Sequence, residues 1–253
     1  MSTLDISGLV ESTNNLTNTV MGKMAQIDSK LNQANSHYQQ LMDSIQSDFP
    51  FYALTRNQQL KFADEFSPQG DLTHPDGFML RNSKVVVELF ETVVRSQEPA
   101  ERSLEQKALF NDVLGTTPKH MYTDFNIIKI TFNDPVDLSS NYSIFQGPMN
   151  RLTALTHGAF IKVLLGECAF GHSRTKRVPN DGKWHEMIEH RDMASNLSAA
   201  YEHGPHIAGV FGTQILVALP ATVAGKVPVG RWGYFNKPVF KIESDPQPKV
   251  ITE

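Results

Sequence analysis

The strongest constraint on this chain is a long opening stretch with an apolar residue at every third or fourth position and no proline to interrupt it. All fourteen prolines lie at or beyond Pro50. Residues 1–48 contain no Phe, Trp or Arg, and Tyr38 is their one aromatic residue. A segment this rich in Ser, Thr, Asn and Gln is either a disordered tail or a thin helix that needs only a narrow apolar seam. Spacing decides between them. Apolar residues fall at Leu9, Leu16, Val20, Met24, Ile27, Leu31, Ala34, Tyr38, Leu41 and Ile45, and from Leu16 onward the steps are 4, 4, 3, 4, 3, 4, 3 and 4. That is the alternation of a and d positions in a heptad repeat. The doubled step at Val20–Met24 is a stutter, which locally relaxes a left-handed supercoil.

A helix of about 40 residues would be ~60 Å long, more than a domain of this size can cover from end to end. Ser, Thr and Asn are middling helix formers, so the helix must draw its stability from association. Another copy of the same chain in parallel register supplies a matching seam. Residues 1–46 therefore read as a coiled-coil stalk that oligomerises. A trimer is preferred because the seam lacks the division of Ile/Val at a and Leu at d that favours dimers. A disordered tail and a folded-back hairpin are the alternatives.

Composition closes several other routes. With 23 basic and 27 acidic residues, the chain carries no global field for nucleic acid or an anionic membrane. One cysteine, Cys168, excludes a disulfide framework or a CxxC zinc site within the chain. The first twenty residues lack a basic region and an unbroken apolar run, so no signal peptide is expected, and no apolar run is long enough for membrane insertion. Synthesis in the cytoplasm is the expectation.

After Pro50 the texture changes. Residues 47–120 read as a mixed connector with helices, and 121–253 as a β-rich body. SKVVVELFETVV fits a strand or a helix equally. PAERSLEQKALFNDVLG reads as a helix, with Pro99 in its first turn and Gly115 at its end. Residues 67–77 read as loop and turn. Alternation around Ile128, Ile130 and Phe132, and the apolar runs AFIKVLL (159–165), TQILVAL (213–219) and VFKI (239–242), read as strands. The fold class is thus α+β: a long α-helical coiled coil, then a mainly antiparallel β sandwich or jelly-roll-like body with a few helices.

Motifs for chemistry fail one by one. His185-Glu186-Met187-Ile188-Glu189-His190 resembles a zinc-protease helix, but its second histidine is at i+5, well round a helix from the first. The alternative is an exposed polar helix or strand anchored by Trp184. Six of nine histidines lie between His157 and His206, and His203 with His206 is the most site-like pair for a metal, although no carboxylate stands at ligand spacing beside it. Gly171-His172-Ser173 opens like a nucleophile elbow and lacks the closing glycine. Cys168 reads as a small buried filler. Arg174, Lys176 and Arg177 form a basic loop. No cofactor is expected. The aromatics Trp184, Tyr201, Trp232 and Tyr234 sit among Gly, His, Asn and Arg, residue types that bind sugars, and are candidates for receptor or glycan contact; as core plugs they would serve packing instead.

The stretch TLDISGLVESTNNLTNTVMGKMAQIDSKLNQAN and the Gly/Pro/aromatic run GTQILVALPATVAGKVPVGRWGYFNKP together resemble virion fibre proteins of tailed bacteriophages. Those carry a short N-terminal coiled coil, usually trimeric, ahead of a compact β-rich tip. The resemblance implies a virion location, a structural role as a tail or head fibre or spike subunit, and attachment to the host surface. Its implied partners are other copies of itself, further virion proteins, and a host polysaccharide or protein. A polysaccharide-degrading tail enzyme and a cellular coiled-coil adaptor are the competing classes.

Overall fold

The structure is a computed structural model that describes residues 3–48, 51–62, 74–80, 85–133, 144–151, 153–193 and 201–237. The chain forms two compact units, Met1–Pro50 and Phe51–Glu253.

The first unit is one α-helix, α1 (Thr3–Asp48). At 1.5 Å per residue its 46 residues span about 70 Å. The hydroxyls of Thr13, Thr17 and Thr19 donate to the carbonyls of Leu9, Thr13 and Asn15 at 2.8–2.9 Å. Such back-bonding satisfies the side chain while adding little to the helix. No described helix is long and apolar enough to cross a membrane.

Among the described residues the second unit has ten strands: β1 (Phe78–Leu80), β2 (Val85–Val93), β3 (Phe125–Phe132), β4 (Ile144–Asn150), β5 (Leu155–Leu165), β6 (Cys168–Phe170), β7 (Lys176–Arg177), β8 (Trp184–Arg191), β9 (Tyr201–Gly209) and β10 (Gln214–Ala224). They make two antiparallel five-stranded sheets, ordered β1-β4-β9-β6-β7 and β2-β3-β10-β5-β8. From β3 to β10 the chain changes sheet at each step except β6 to β7.

Two apolar cores hold these layers. Phe78, Phe170 and Ile207 of the first sheet meet Ile130, Ile161, Met187 and Val217 of the second in one buried cluster. On the other face of the second sheet, Phe125, Phe160, Trp184 and Leu216 pack against Leu109, Phe110 and Trp232. The second sheet is therefore buried on both sides, which explains why β10 and β5 read as continuous apolar runs rather than as alternating ones.

Several expectations change here. SKVVVELFETVV is a strand: β2 pairs with β3 from Val85 opposite Phe132 to Val93 opposite Phe125. β1 and β2, which fall within the range read as a connector, form an edge strand of each sheet. The helix expected from Pro99 is two elements, a 3-10 turn (Pro99–Glu101) and α2 (Leu104–Leu114). Arg102 causes the break. Its backbone is extended, and its buried guanidinium donates to the carbonyls of Pro118 at 3.0 Å and Lys119 at 3.3 Å. Ser103 then caps α2 by accepting from Gln106 N–H, and Gly115 closes it at φ 70°. The run His185–His190 is part of strand β8, not a helix. The strand expected at 239–242 and residues 67–73 of the expected loop lie outside the described residues.

Candidate functional site

The most extensive candidate surface is the seam of α1. Leu9, Leu16, Val20, Met24, Ile27, Leu31 and Tyr38 are between 48 and 70% exposed, and Ala34 is exposed with them. Leu41 and Ile45 lie on the same helix, but their side chains are outside the described residues. Thr13, four residues after Leu9 and three before Leu16, completes the register as a polar layer. Its hydroxyl is turned back to the Leu9 carbonyl. Counting only apolar residues hid that position. An exposed row of large aliphatic side chains on one helix face is the arrangement that assembly covers.

In the body, a polar cluster among the described residues surrounds Glu202 on β9. Its buried carboxylate accepts from Arg151 Nη1 at 3.1 Å and Arg191 Nε at 3.0 Å, and lies 2.6 Å from His172 Nδ1. Burial pushes this carboxyl up, but hydrogen bonding and charge from His172 and Arg191 prevail and bring it down to about 2. Glu202 and Arg151 come from the first sheet's side, Arg191 from β8 of the second. The cluster thus ties the sheets together. His157, fully buried on β5, meets Thr222 Oγ1 through Nδ1 at 2.7 Å, and burial pushes it down to about 4. Burial likewise lowers His206 to about 3, its ring 5.1 Å from that of His172. Both are neutral imidazoles at neutral pH.

The chemistry this cluster can perform is limited by its partners. Glu202 orients His172, but the adjacent Ser173 hydroxyl bonds Glu189 at 3.3 Å and Thr175 at 2.9 Å. No serine–histidine alignment results. His203, the other half of the proposed metal pair, packs edge-on to Tyr201 at 5.6 Å, while His206 is buried. Among the described residues no group of three His, Cys, Asp or Glu is placed to hold a metal ion. On strand β8, His185 and His190 point to opposite faces; His185 pairs with Asp181 at 2.8 Å and His190 with the Val227 carbonyl at 2.8 Å. Burial raises the Cys168 thiol to about 12.

The four aromatic candidates separate by burial. Trp184 and Trp232 are 2 and 5% exposed and belong to the second core. Their indole N–H groups donate to Glu105 at 2.6 Å and to the Leu219 carbonyl at 3.0 Å. As placed, the two tryptophans present no ring face to solvent; they fill the core. Tyr201 is 64% exposed. Tyr234 stacks on Tyr122, with ring centroids 5.3 Å apart, beside an apolar cavity of about 130 Å³ also lined by Phe110, Val113, Met121 and Trp232. Tyr122, 70% exposed, is an aromatic the sequence reading passed over although it shares the loop setting of the others.

No protein-family model matches the chain, and no curated protein matches it. Among solved structures it is similar to the CBM22-1–GH10 modules of the Clostridium thermocellum endo-1,4-beta-D-xylanase 10B, solved with xylohexaose. The identity is 10%, the TM-score 0.36, and the match covers 70% of this chain but only 28% of that one. A superposition of that quality defines neither a shared fold nor a shared ligand.

Proposed function

We propose that the chain is a subunit of a virion fibre of the tailed-bacteriophage type, in which α1 joins three copies as a coiled coil and the β body contributes to particle assembly and host attachment. The observation that carries this reading is the exposed, heptad-spaced seam from Leu9 to Tyr38. Leaving seven large apolar side chains in water on one helix face is costly, and three such faces packed together would bury them. We further infer a jelly roll for the body. Strand β10 lies between β3 and β5, and β9 between β4 and β6, the interleaving that a rolled antiparallel ribbon produces. Tyr201 and Tyr122, with Phe211 and Phe90, are exposed aromatic rings that this body offers to a surface polymer. Three weak sites on one stalk would gain by effective concentration.

Light scattering on the full chain tests the reading. The expected mass is about three times the 28.3 kDa of one chain. A monomeric mass at micromolar concentration overturns it. Binding of labelled protein to host cells, retained by the trimer and lost when the seam is broken, tests the attachment role; equal binding by monomer and trimer counts against it.

A further inference from the structure

We infer that the apolar cavity beside the Tyr122–Tyr234 stack is a binding site for an uncharged aromatic ring of about six heavy atoms, entered past Tyr122. The site lies wholly in the β body and does not depend on how copies of the chain assemble.

The cavity, about 130 Å³, lies where α2 packs on the second sheet. Phe110 and Val113 line it from α2, Phe160 from β5 and Leu219 from β10, while Met121 and Trp232 come from the adjoining loops. A dry cavity of about 150 Å³ lined by Leu, Ile and Phe takes benzene, so the volume suits a ring of that size. The backbone builds this space deliberately. Strand β10 shifts register between Ala218 and Ala221, and Leu219 within the shift has φ 49°. Leucine rarely adopts that left-handed conformation. Its carbonyl is held there by Trp232 Nε1 at 3.0 Å and Gln58 Nε2 at 3.3 Å. Bulges re-aim side chains, and bulges and strained residues of this kind gather at binding sites. Trp232 is fixed as well: its six-membered ring lies against Gly158, where a Cβ would come within 2.5 Å of Cε3 and Cζ3. The lining is thus set before any ligand arrives.

Its chemistry disfavours sugars and ions. The Trp232 N–H is spent on the Leu219 carbonyl. The Thr123 hydroxyl, also in the lining, donates to the Asp124 carbonyl at 3.3 Å and accepts from Gln59 Nε2. A set of hydroxyls or a charge entering here sheds water without gaining equal partners. Phe110, Phe160, Trp232 and Tyr234 instead offer ring edges and faces, which favour an aromatic guest over an aliphatic one. Tyr122 lines the cavity yet is exposed, so it marks where the cavity meets solvent. Its ring lies 5.3 Å from that of Tyr234, at 20° to it, and swinging it outward gives up that stacking contact.

Fluorobenzene titrated into the full chain tests this, followed by its fluorine NMR signal and by tryptophan fluorescence. Saturable binding, half complete at about 1 mM or below, is expected for a ring of this size. At about ten times the half-saturating concentration the thermal midpoint of the body should rise by about 3–6 °C. Val113→Phe fills the cavity and should weaken binding by more than about tenfold, while the midpoint of the free protein holds or rises. Leu114→Phe, on the exposed rim, is a second variant and should weaken binding in the same direction. Tyr122→Ala should speed exchange of the bound ring. Glucose at the same concentrations should leave fluorescence and midpoint unchanged. No saturable binding, binding that survives both phenylalanine substitutions, or an equal shift with glucose overturns the inference. Exchange no faster in Tyr122→Ala overturns entry past that residue.

Discussion

The two units of this chain solve the problem of burying apolar surface in opposite ways. The β body encloses its own: Phe170, Ile161, Ile130 and Ile215 are all at or near zero exposure between the sheets, and a second core backs the second sheet. Helix α1 encloses none, and its aliphatic side chains stay exposed along the whole described seam. One unit buries its apolar residues within the chain; the other leaves its seam in water. The packing that stabilises the body is thus intramolecular, whereas in the assembly we propose the stability of α1 would follow mass action.

The sharpest way to break this contrast is to charge the seam. Ile27→Asp with Leu31→Asp should reduce the oligomer to monomers and remove most of the helical circular dichroism, while the denaturant midpoint of the body stays put. If the body unfolds as well, the two units are not independent. Next in size is a core truncation. Phe170→Ala should cost the body about 3–5 kcal/mol in urea unfolding and leave the oligomeric mass unchanged.

Acid should also act on one unit more than the other. His157 is lowered from 6.5 to about 4 by burial, so below pH 6.5 the unfolded chain takes up a proton that the folded body refuses. Stability is lost between those values, on the order of 3 kcal/mol for this one group. His206, lowered from 6.5 to about 3 by burial, adds to the loss over the same range, and Glu202, lowered from 4.5 to about 2, extends it to more acid pH. All three groups bind fewer protons folded than unfolded, so stability rises with pH for each. Urea midpoints of the body at pH 7, 5.5 and 4 should fall in that order, and His157→Gln should flatten the upper part of the fall. An unchanged slope would remove His157 as its cause. The smallest effect belongs to Ser103→Ala, which takes away the N-cap acceptor of α2 and a bond to Glu91. About 1 kcal/mol is expected from the body, with no change in assembly.

How far the sequence could be read follows from the range of the forces involved. The helix of α1 is legible because the absence of proline and the spacing from Leu16 to Tyr38 are local signals. Strands β3, β5 and β10 were legible for a similar reason, as apolar or alternating runs between turn residues. β2 was ambiguous because its Val and Phe residues suit either a strand or one face of a helix, and only pairing with β3 separates them. The break at Arg102 could not be seen, since it depends on carbonyls at Pro118 and Lys119, distant in sequence. The Glu202 cluster was hidden similarly: its partners come from positions 151, 172 and 191, and nothing in the neighbourhood of an acid announces that it will be buried.

By itself, then, the sequence determined where the chain divides, that its first part is a seamed helix, and that its second part is rich in antiparallel strands. These follow from backbone preferences and periodicity, which act over a few residues. Tertiary structure alone decided that Trp184 and Trp232 fill a core while Tyr201 and Tyr122 stay exposed, that His206 is buried and His203 sits against Tyr201, and that strand β10 lies between β3 and β5. Apart from the local contact of His203 with Tyr201, these outcomes depend on which sheet face a residue meets, and that is set by strand pairing and packing between segments far apart in sequence.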